Sequence, residues 1–253
     1  MRVVGIIPAR LGSTRLPNKV LHLIAGKPMI QHVWEQTSQI RGLDEVWIAC
    51  DDVKIAEVVA GFGGKFLMTR ADHPNGTSRI AEAVEKMEAD VVINIQGDQP
   101  ILDGAAIEQL VSIFKDATEL QMATLAIRSK NAAEYKNSNV VKVVCDENGR
   151  ALYFSRSPLP FWRDTNETPE FLKHIGVYAY RREFLKKFVS WPEGRLEQLE
   201  KLEQLRVLER GFAIQVVETK QDFISVDTAE DLKQVELFLN ASKSPRHLDG
   251  SAR

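Results

Sequence analysis

Apolar runs of strand length alternate with helix-period stripes over the first half of the chain. The stretch VVGIIP (3–8) is almost continuously apolar, the pattern of a strand covered on both faces. Over 28–41, Met29, Ile30, Val33, Trp34 and Ile40 fall on one stripe, which predicts an amphipathic helix. VWIAC (46–50) reads as the next strand, with Asp51 or Asp52 able to cap the helix after it. KFLM (65–68) predicts a short strand, 77–88 a helix, and DVVINIQGD (90–98) a strand with an abrupt polar end. A helix over 103–116 and the strand MATLAI (122–127) continue the rhythm. This alternation predicts an α/β fold, a mostly parallel sheet with helices on both faces.

The pattern changes after about residue 130. VVKVVCDENGRALYFS (140–155) reads as a hairpin around the turn Asp146–Gly149. HIGVYAY (174–180) predicts a strand, followed by helices over 181–189 and 196–210. Strands AIQVVE (213–218) and FISVD (223–227) and a helix over 228–241 follow. Residues 242–253 carry no apolar pattern and are expected to be disordered. With no repeat, low-complexity tract or flexible linker, 1–241 reads as a single domain, and about 130–190 as an insertion or dimerisation region within it.

Length and charge narrow the picture. The 253 residues suffice for one enlarged domain, and 33 Lys and Arg against 35 Asp and Glu leave a formal charge of −2. That balance argues against nucleic acid as the main partner, so anion binding has to come from a local cluster. No apolar run approaches the roughly 18 residues of a membrane span, and the first residues are too short and too soon charged for a secretory signal. Cys50 and Cys145 end apolar runs without metal-ligand spacing and read as buried thiols rather than a disulfide. Together these predict a soluble cytoplasmic protein without membrane insertion.

The local cluster is PARLGSTRLPNK (8–19), which places Arg10, Arg15 and Lys19 around a glycine and two hydroxyls directly after the first strand. Open α/β sheets bind ligands at that edge, and backbone N–H groups with Arg and Lys can cradle phosphates; a solvated basic loop is the alternative. The stretch GKP (26–28) does not make a Walker loop, and no GxGxxG follows the first strand. In NIQGDQP (94–100) an apolar strand delivers Gln96, Gly97 and Asp98 to the same edge, where a carboxylate can hold Mg²⁺ or the residues can simply form a turn. Asp227, ending FISVD, is a second carboxylate of this kind, or with Thr228 an ordinary helix cap. The two aspartates are expected to converge only if their strands are sheet neighbours. RADHPNGTSR (70–79) offers Asn75, Gly76 and Thr77 either to a planar base or to the start of a helix. Arg156 closes a strand, His174 and Tyr178 share a strand face, and Glu203 is predicted on a partly apolar helix face between Leu199 and Val207.

In this order, IIPARLGSTRLPNK, TRADHPNGTSR, NIQGDQP, ALYFSR, KHIGVYAYR, LEKLEQLRVLERG and VDTAEDL resemble the 3-deoxy-D-manno-octulosonate cytidylyltransferase family, the CMP-Kdo synthetases, over about residues 1–240. The resemblance implies a Rossmann-like nucleotidyltransferase with an inserted dimerisation hairpin region, a homodimer that uses Mg²⁺ and CTP to activate Kdo, or an 8-amino analogue, for lipopolysaccharide synthesis. It implies that Pro8, Ala9, Arg10, Ser13, Arg15 and Lys19 hold the triphosphate, and that Arg70, Asn75, Gly76, Thr77, Arg79 and Gln96 receive the cytidine. Asp98 and Asp227 become Mg²⁺ ligands, with Lys19, Arg10 and Asp98 catalytic. Arg156, His174, Tyr178, Glu203 and Gln204 line the sugar pocket. One position departs from the family pattern: Gln99 stands where the family usually has Glu.

Overall fold

The computed structural model describes residues 1–12, 16–163, 167 and 169–243. Strand β1 (Val3–Ala9) lies in the interior of the sheet, between β6 and β4, and its period of two sorts residues between two cores. Val3 and Ile7 enter the core on one face, Val4 and Ile6 the core on the other. The chain then forms a two-residue hairpin, β2 (Leu23–Ile24) and β3 (Lys27–Pro28), ahead of α1 (Met29–Ser38). Strand β4 (Glu45–Cys50), α2 (Val53–Gly61), β5 (Lys65–Met68), α3 (Gly76–Glu85) and β6 (Val91–Asn94) complete the first half. Helix α4 (Gly104–Asp116), β7 (Met122–Ser129) and a short α5 (Ala132–Lys136) lead to β8 (Lys142–Cys145) and β9 (Ala151–Ser155). The long β10 (Phe171–Arg181), α6 (Arg182–Ser190), α7 (Arg195–Glu200), α8 (Leu205–Glu209), β11 (Gln215–Thr219) and α9 (Ala229–Lys243) follow.

The strand order is β11-β7-β10-β6-β1-β4-β5, with β8 and β9 added alongside β10. Pairings of β1 with β4 and β6, β4 with β5, and β7 with β11 are parallel, whereas β10 is antiparallel to both β6 and β7. The sheet is therefore mostly parallel, as the alternation predicts, with one reversed strand in its interior that periodicity does not reveal. Connections leave β1 toward β4 and β5 and then return to β6 on its other side, which makes the gap beside β1 the switch point where such sheets bind ligands. No helix among the described residues is long and apolar enough to cross a membrane.

Four expectations change. The strand at 90–98 ends at Asn94, and 95–98 form the turn beyond it. The stretch at 223–227 is no strand of the main sheet but makes a single bridge, Ile224 to Ile101. Residues 242 and 243 belong to α9 rather than to a tail, while 244–253 lie outside the described residues. The helix at 196–210 is two helices, because Lys201 takes a left-handed conformation, φ 52°. A buried ion pair joins them across the break: the Arg206 guanidinium donates to both Glu197 oxygens at 2.6 Å and to Trp191 O at 2.9 Å, while Gly194 N also donates to Glu197.

Removing one partner of such a pair strands the other charge in a poorly solvated place. Glu197→Ala is therefore expected to cost about 3–5 kcal/mol, which thermal unfolding reads as a Tm lowered by roughly 10 °C in a chain of this size.

Candidate active site

A cleft of about 390 Å³ opens at the carboxyl ends of β1 and β6, lined by Pro8, Ala9, Arg10, Lys19, the 73–76 and 96–98 segments, Arg79, Glu203 and Asp227. Its floor exists because two loops approach β1 closely. A Cβ on Gly97 would lie 2.8 Å from Pro8 O, and one on Gly76 3.2 Å from Pro8 Cγ. Any side chain at 97 would push the Asp98 turn off the strand end.

At the bottom, Lys19 Nζ lies 2.6 Å from Asp98 Oδ2 and 3.1 Å from Asp227 Oδ1. The lysine is 13% exposed. Burial pulls its pKa down, but attraction and hydrogen bonds from Asp98 and Asp227 outweigh that and raise it. The two aspartates do converge, though by a route other than neighbouring strands. Val226 N donates to Asp98 O (2.8 Å) and Ile224 N to Ile101 O (3.1 Å), docking the 223–227 segment onto the loop beyond β6. The cap of α9 is Thr228, whose Oγ1 accepts from Asp231 N while Asp231 Oδ2 accepts from Thr228 N and Asp227 N. This reciprocal cap leaves the Asp227 carboxylate to the cleft. Asp52 likewise caps α2, which leaves Asp51 to accept from Leu11 N (3.4 Å) and Arg79 (2.9 Å).

Asp98 and Asp227 have no third His, Cys, Asp or Glu grouped with them among the described residues. Two partly exposed carboxylates around one cation suit Mg²⁺, which takes one or two carboxylates and completes its shell with phosphates and water. They would not close a structural zinc site. Gln99 is buried, its Nε2 3.3 Å from Ser225 Oγ and its Oε1 without a partner. Its amide thus orients a hydroxyl and leaves the carboxylate pair alone.

The residues expected to receive the cytidine divide. Asn75 caps α3, accepting from Ser78 N, and lines the cleft with Gly76. Arg79 is buried and bound to Thr69 Oγ1, Arg70 O and Asp51, so it holds the loop together from behind. Arg70 donates its N–H to Glu82. Gln96 donates both amide protons, to Asn94 Oδ1 (3.1 Å) and Gly176 O (3.2 Å), so its oxygen is the group left for a ligand. Ser13 and Arg15 lie outside the described residues.

A recess of about 190 Å³ adjoins the cleft and shares Gly76, Gln96 and Glu203 with it. Tyr178 and Gln204 line it with Thr77, Asn94 and Tyr180. Glu203 reaches it from the turn between α7 and α8, not from the helix face predicted for it. Burial raises its carboxyl pKa, Thr77 hydrogen-bonds to it, and Glu197 repels it. Gln204 is 3% exposed and its Nε2 has no partner, an orphaned donor that a ligand oxygen would satisfy. His174 and Arg156 stand behind this lining. The His174 ring packs between Phe154 and Tyr178, with Nε2 3.0 Å from Thr124 Oγ1, and burial pushes its pKa down to about 3. Arg156 donates to the carbonyls of Glu200, Ser138 and Lys201.

Sequence reasoning missed Asp51, His73 and Glu82. The His73 ring lies 2.5 Å from Glu82, which also receives Arg70 N. The doubled Asp51–Asp52 was the one legible sign, since a helix needs a single cap.

Comparison with known proteins follows the same lines. A family model described as cytidylyltransferase matches residues 4–223. The 3-deoxy-manno-octulosonate cytidylyltransferase of Syntrophobacter fumaroxidans is 53% identical over 93% of this chain and 96% of its own. The 8-amino-3,8-dideoxy-manno-octulosonate cytidylyltransferase of Shewanella pealeana is 51% identical over 94% of this chain and 99% of its own. A solved structure of CMP:2-keto-3-deoxy-manno-octonic acid synthetase complexed with CTP superposes with a TM-score of 0.91 at 44% identity, covering 96% of this chain and 100% of that one.

Because Thr228 holds the cap, Asp227→Asn is expected to move Tm by less than about 2 °C, whereas Thr228→Ala should cost about 1 kcal/mol, or roughly 3 °C. The His174 ring stays neutral in the fold, while the unfolded chain takes up a proton below about pH 6.5. Stability is therefore lost as pH falls from about 6.5 toward 3, by at most about 1.4 kcal/mol per pH unit. The Tm difference between pH 7.5 and pH 5 should shrink in His174→Gln.

Proposed function

The chain belongs to the cytidylyltransferase family, and from that membership we propose that it transfers the cytidylyl group of CTP to Kdo, or to its 8-amino analogue, and releases pyrophosphate. The observation that carries this reading is the convergence of Lys19, Asp98 and Asp227 at the foot of a cleft with an orphaned polar recess beside it. The product is an activated sugar for lipopolysaccharide synthesis, made in the cytoplasm.

The triphosphate lies along the Pro8–Lys19 segment, with Arg10, Arg15, Ser13 and Lys19 meeting its oxygens. The base enters beside Asn75 and Gly76. The Gln96 oxygen there suits the amino group of cytosine better than the keto oxygen of uracil. Arg70, Thr77 and Arg79 shape this half of the site. Asp98 and Asp227 would hold Mg²⁺, which supplies charge neutralisation at the phosphates. The sugar occupies the recess, its hydroxyls meeting Glu203, Gln204 and Tyr178, with His174 and Arg156 setting the wall behind them. So held, its anomeric hydroxyl attacks the α-phosphorus in line with the departing pyrophosphate. Such a transfer depends on positioning and on stabilising charge that grows on the phosphate oxygens.

We also assign the β8–β9 region to a homodimer contact. Leu152 on β9 (62% exposed) and Phe161 in the segment that follows it (81% exposed) present apolar surface.

Pyrophosphate release from CTP and Mg²⁺ with each sugar in turn tests the activity; a chain that binds CTP but releases none would be a nucleotide-binding module instead. Lys19→Ala is expected to lower kcat about a hundredfold, roughly 2.7 kcal/mol, and to weaken CTP binding less, because the charge it meets grows in the transition state. Near-normal turnover in that variant would remove Lys19 from the phosphate site.

A further inference from the structure

Between its anchored ends, the loop that lines the base side of the cleft has little holding it. Thr69 Oγ1 donates to Cys50 O, Arg79 donates to Thr69 Oγ1 and Arg70 O, and Asn75 is fixed as the cap of α3. From Ala71 to Pro74 the backbone makes a turn at 71–72 but, among the described residues, no main-chain hydrogen bond of good geometry. Apart from an exposed Arg70–Asp72 pair at 3.5 Å, one side chain ties this gap to α3. The His73 ring, 4% exposed on its side chain, turns back from the loop to Glu82 on the second turn of α3, with Nε2 2.5 Å from Oε2. The same oxygen accepts Arg70 N at 3.1 Å, and the other lies 3.6 Å from Lys86 Nζ.

We propose that Glu82 and His73 act as a pair of positioning residues for nucleotide binding, holding the 70–75 loop in the shape that receives the nucleoside. The inference rests on the reading that this cleft takes CTP, and it goes beyond it by assigning a role to two residues that need not touch the nucleotide. Glu82 grips the loop at two points three residues apart, one backbone and one side chain. Its carboxylate accepts the Nε2 proton, which fixes the tautomer and orientation of the ring. His73 lines the cleft next to Pro74, Asn75 and Gly76, so its place sets theirs. A loop ordered before the ligand arrives spares the binding step that ordering entropy. The phosphates and sugar are held by other segments, so release of the loop falls on nucleotide affinity alone.

The conservative variant Glu82→Gln keeps size and an acceptor but removes the charge. It should raise KM for CTP about tenfold while kcat and KM for the sugar stay within about twofold, the signature of lost uniform binding. His73→Ala should show the same CTP-specific defect. The double variant should be little worse than either single one, because each change breaks the same contact. An unchanged KM for CTP in Glu82→Gln overturns the proposal. So does additivity in the double variant, or a loss spread over CTP, sugar and kcat together with a lowered Tm, which marks a merely structural role. A wild-type chain that releases no pyrophosphate from CTP overturns the functional reading and the proposal with it; an active wild type with an indifferent Glu82→Gln overturns the proposal alone.

Discussion

Two carboxylates on one ammonium set the geometry from which the rest of the site is laid out. Asp98 and Asp227 repel each other, and their convergence at the cleft floor is tolerable because Lys19 stands between them. Each of the three arrives by a different backbone device. Lys19 opens a short 3-10 turn after β1, entered through Asn18 in a left-handed conformation. Asp98 sits on a turn pressed so near Pro8 that position 97 admits only glycine. Asp227 is brought in by main-chain bonds to the Asp98 loop, while the helix cap itself is made by Thr228 and Asp231.

The reversed strand explains how a second pocket can lie against the first. Because β10 runs antiparallel to β6, Tyr178 pairs with Asn94 at the same sheet edge where β6 ends. A register shift between Ile175 and Tyr178 gives β10 extra backbone there. That irregular stretch frees Gly176 O to fix Gln96 and the Val177 and Ile175 carbonyls to meet Thr124. One bulge thus helps shape both the cleft and the recess beside it.

Most of the layered fold was legible in the sequence, because apolar period reports burial and the sheet is buried on both faces. The basic cluster after the first strand was legible too, and two of its members, Arg10 and Lys19, do line the cleft. What escaped was whatever depends on contacts distant in sequence. The orientation of β10 is decided by its neighbours, and its pattern of apolar residues reads the same in either direction. The helix breaks at the left-handed Lys201, with the Glu197–Arg206 pair bridging the two halves, so the helical spacing around Glu203 pointed to a face that does not exist. Gln99 read as a departure beside the expected Mg²⁺ site, yet its amide is turned to Ser225, a partner that only the docking of 223–227 provides. His73 lay inside a motif whose glycine and asparagine drew attention away from it, and Glu82 lay just beyond that motif on α3.

The docking of the 223–227 segment also orders events in time. Asp98 follows Lys19 by 79 residues, but Asp227 follows it by 208. At the roughly 5–20 residues per second of synthesis, Lys19 and Asp98 are made several seconds to tens of seconds before Asp227 leaves the ribosome. During that interval a nascent chain can build most of its sheet and already pair Lys19 with Asp98, yet it carries only half of the carboxylate pair. The three-residue cluster at the cleft floor is thereby closed late, by a segment made long after the strands it docks against.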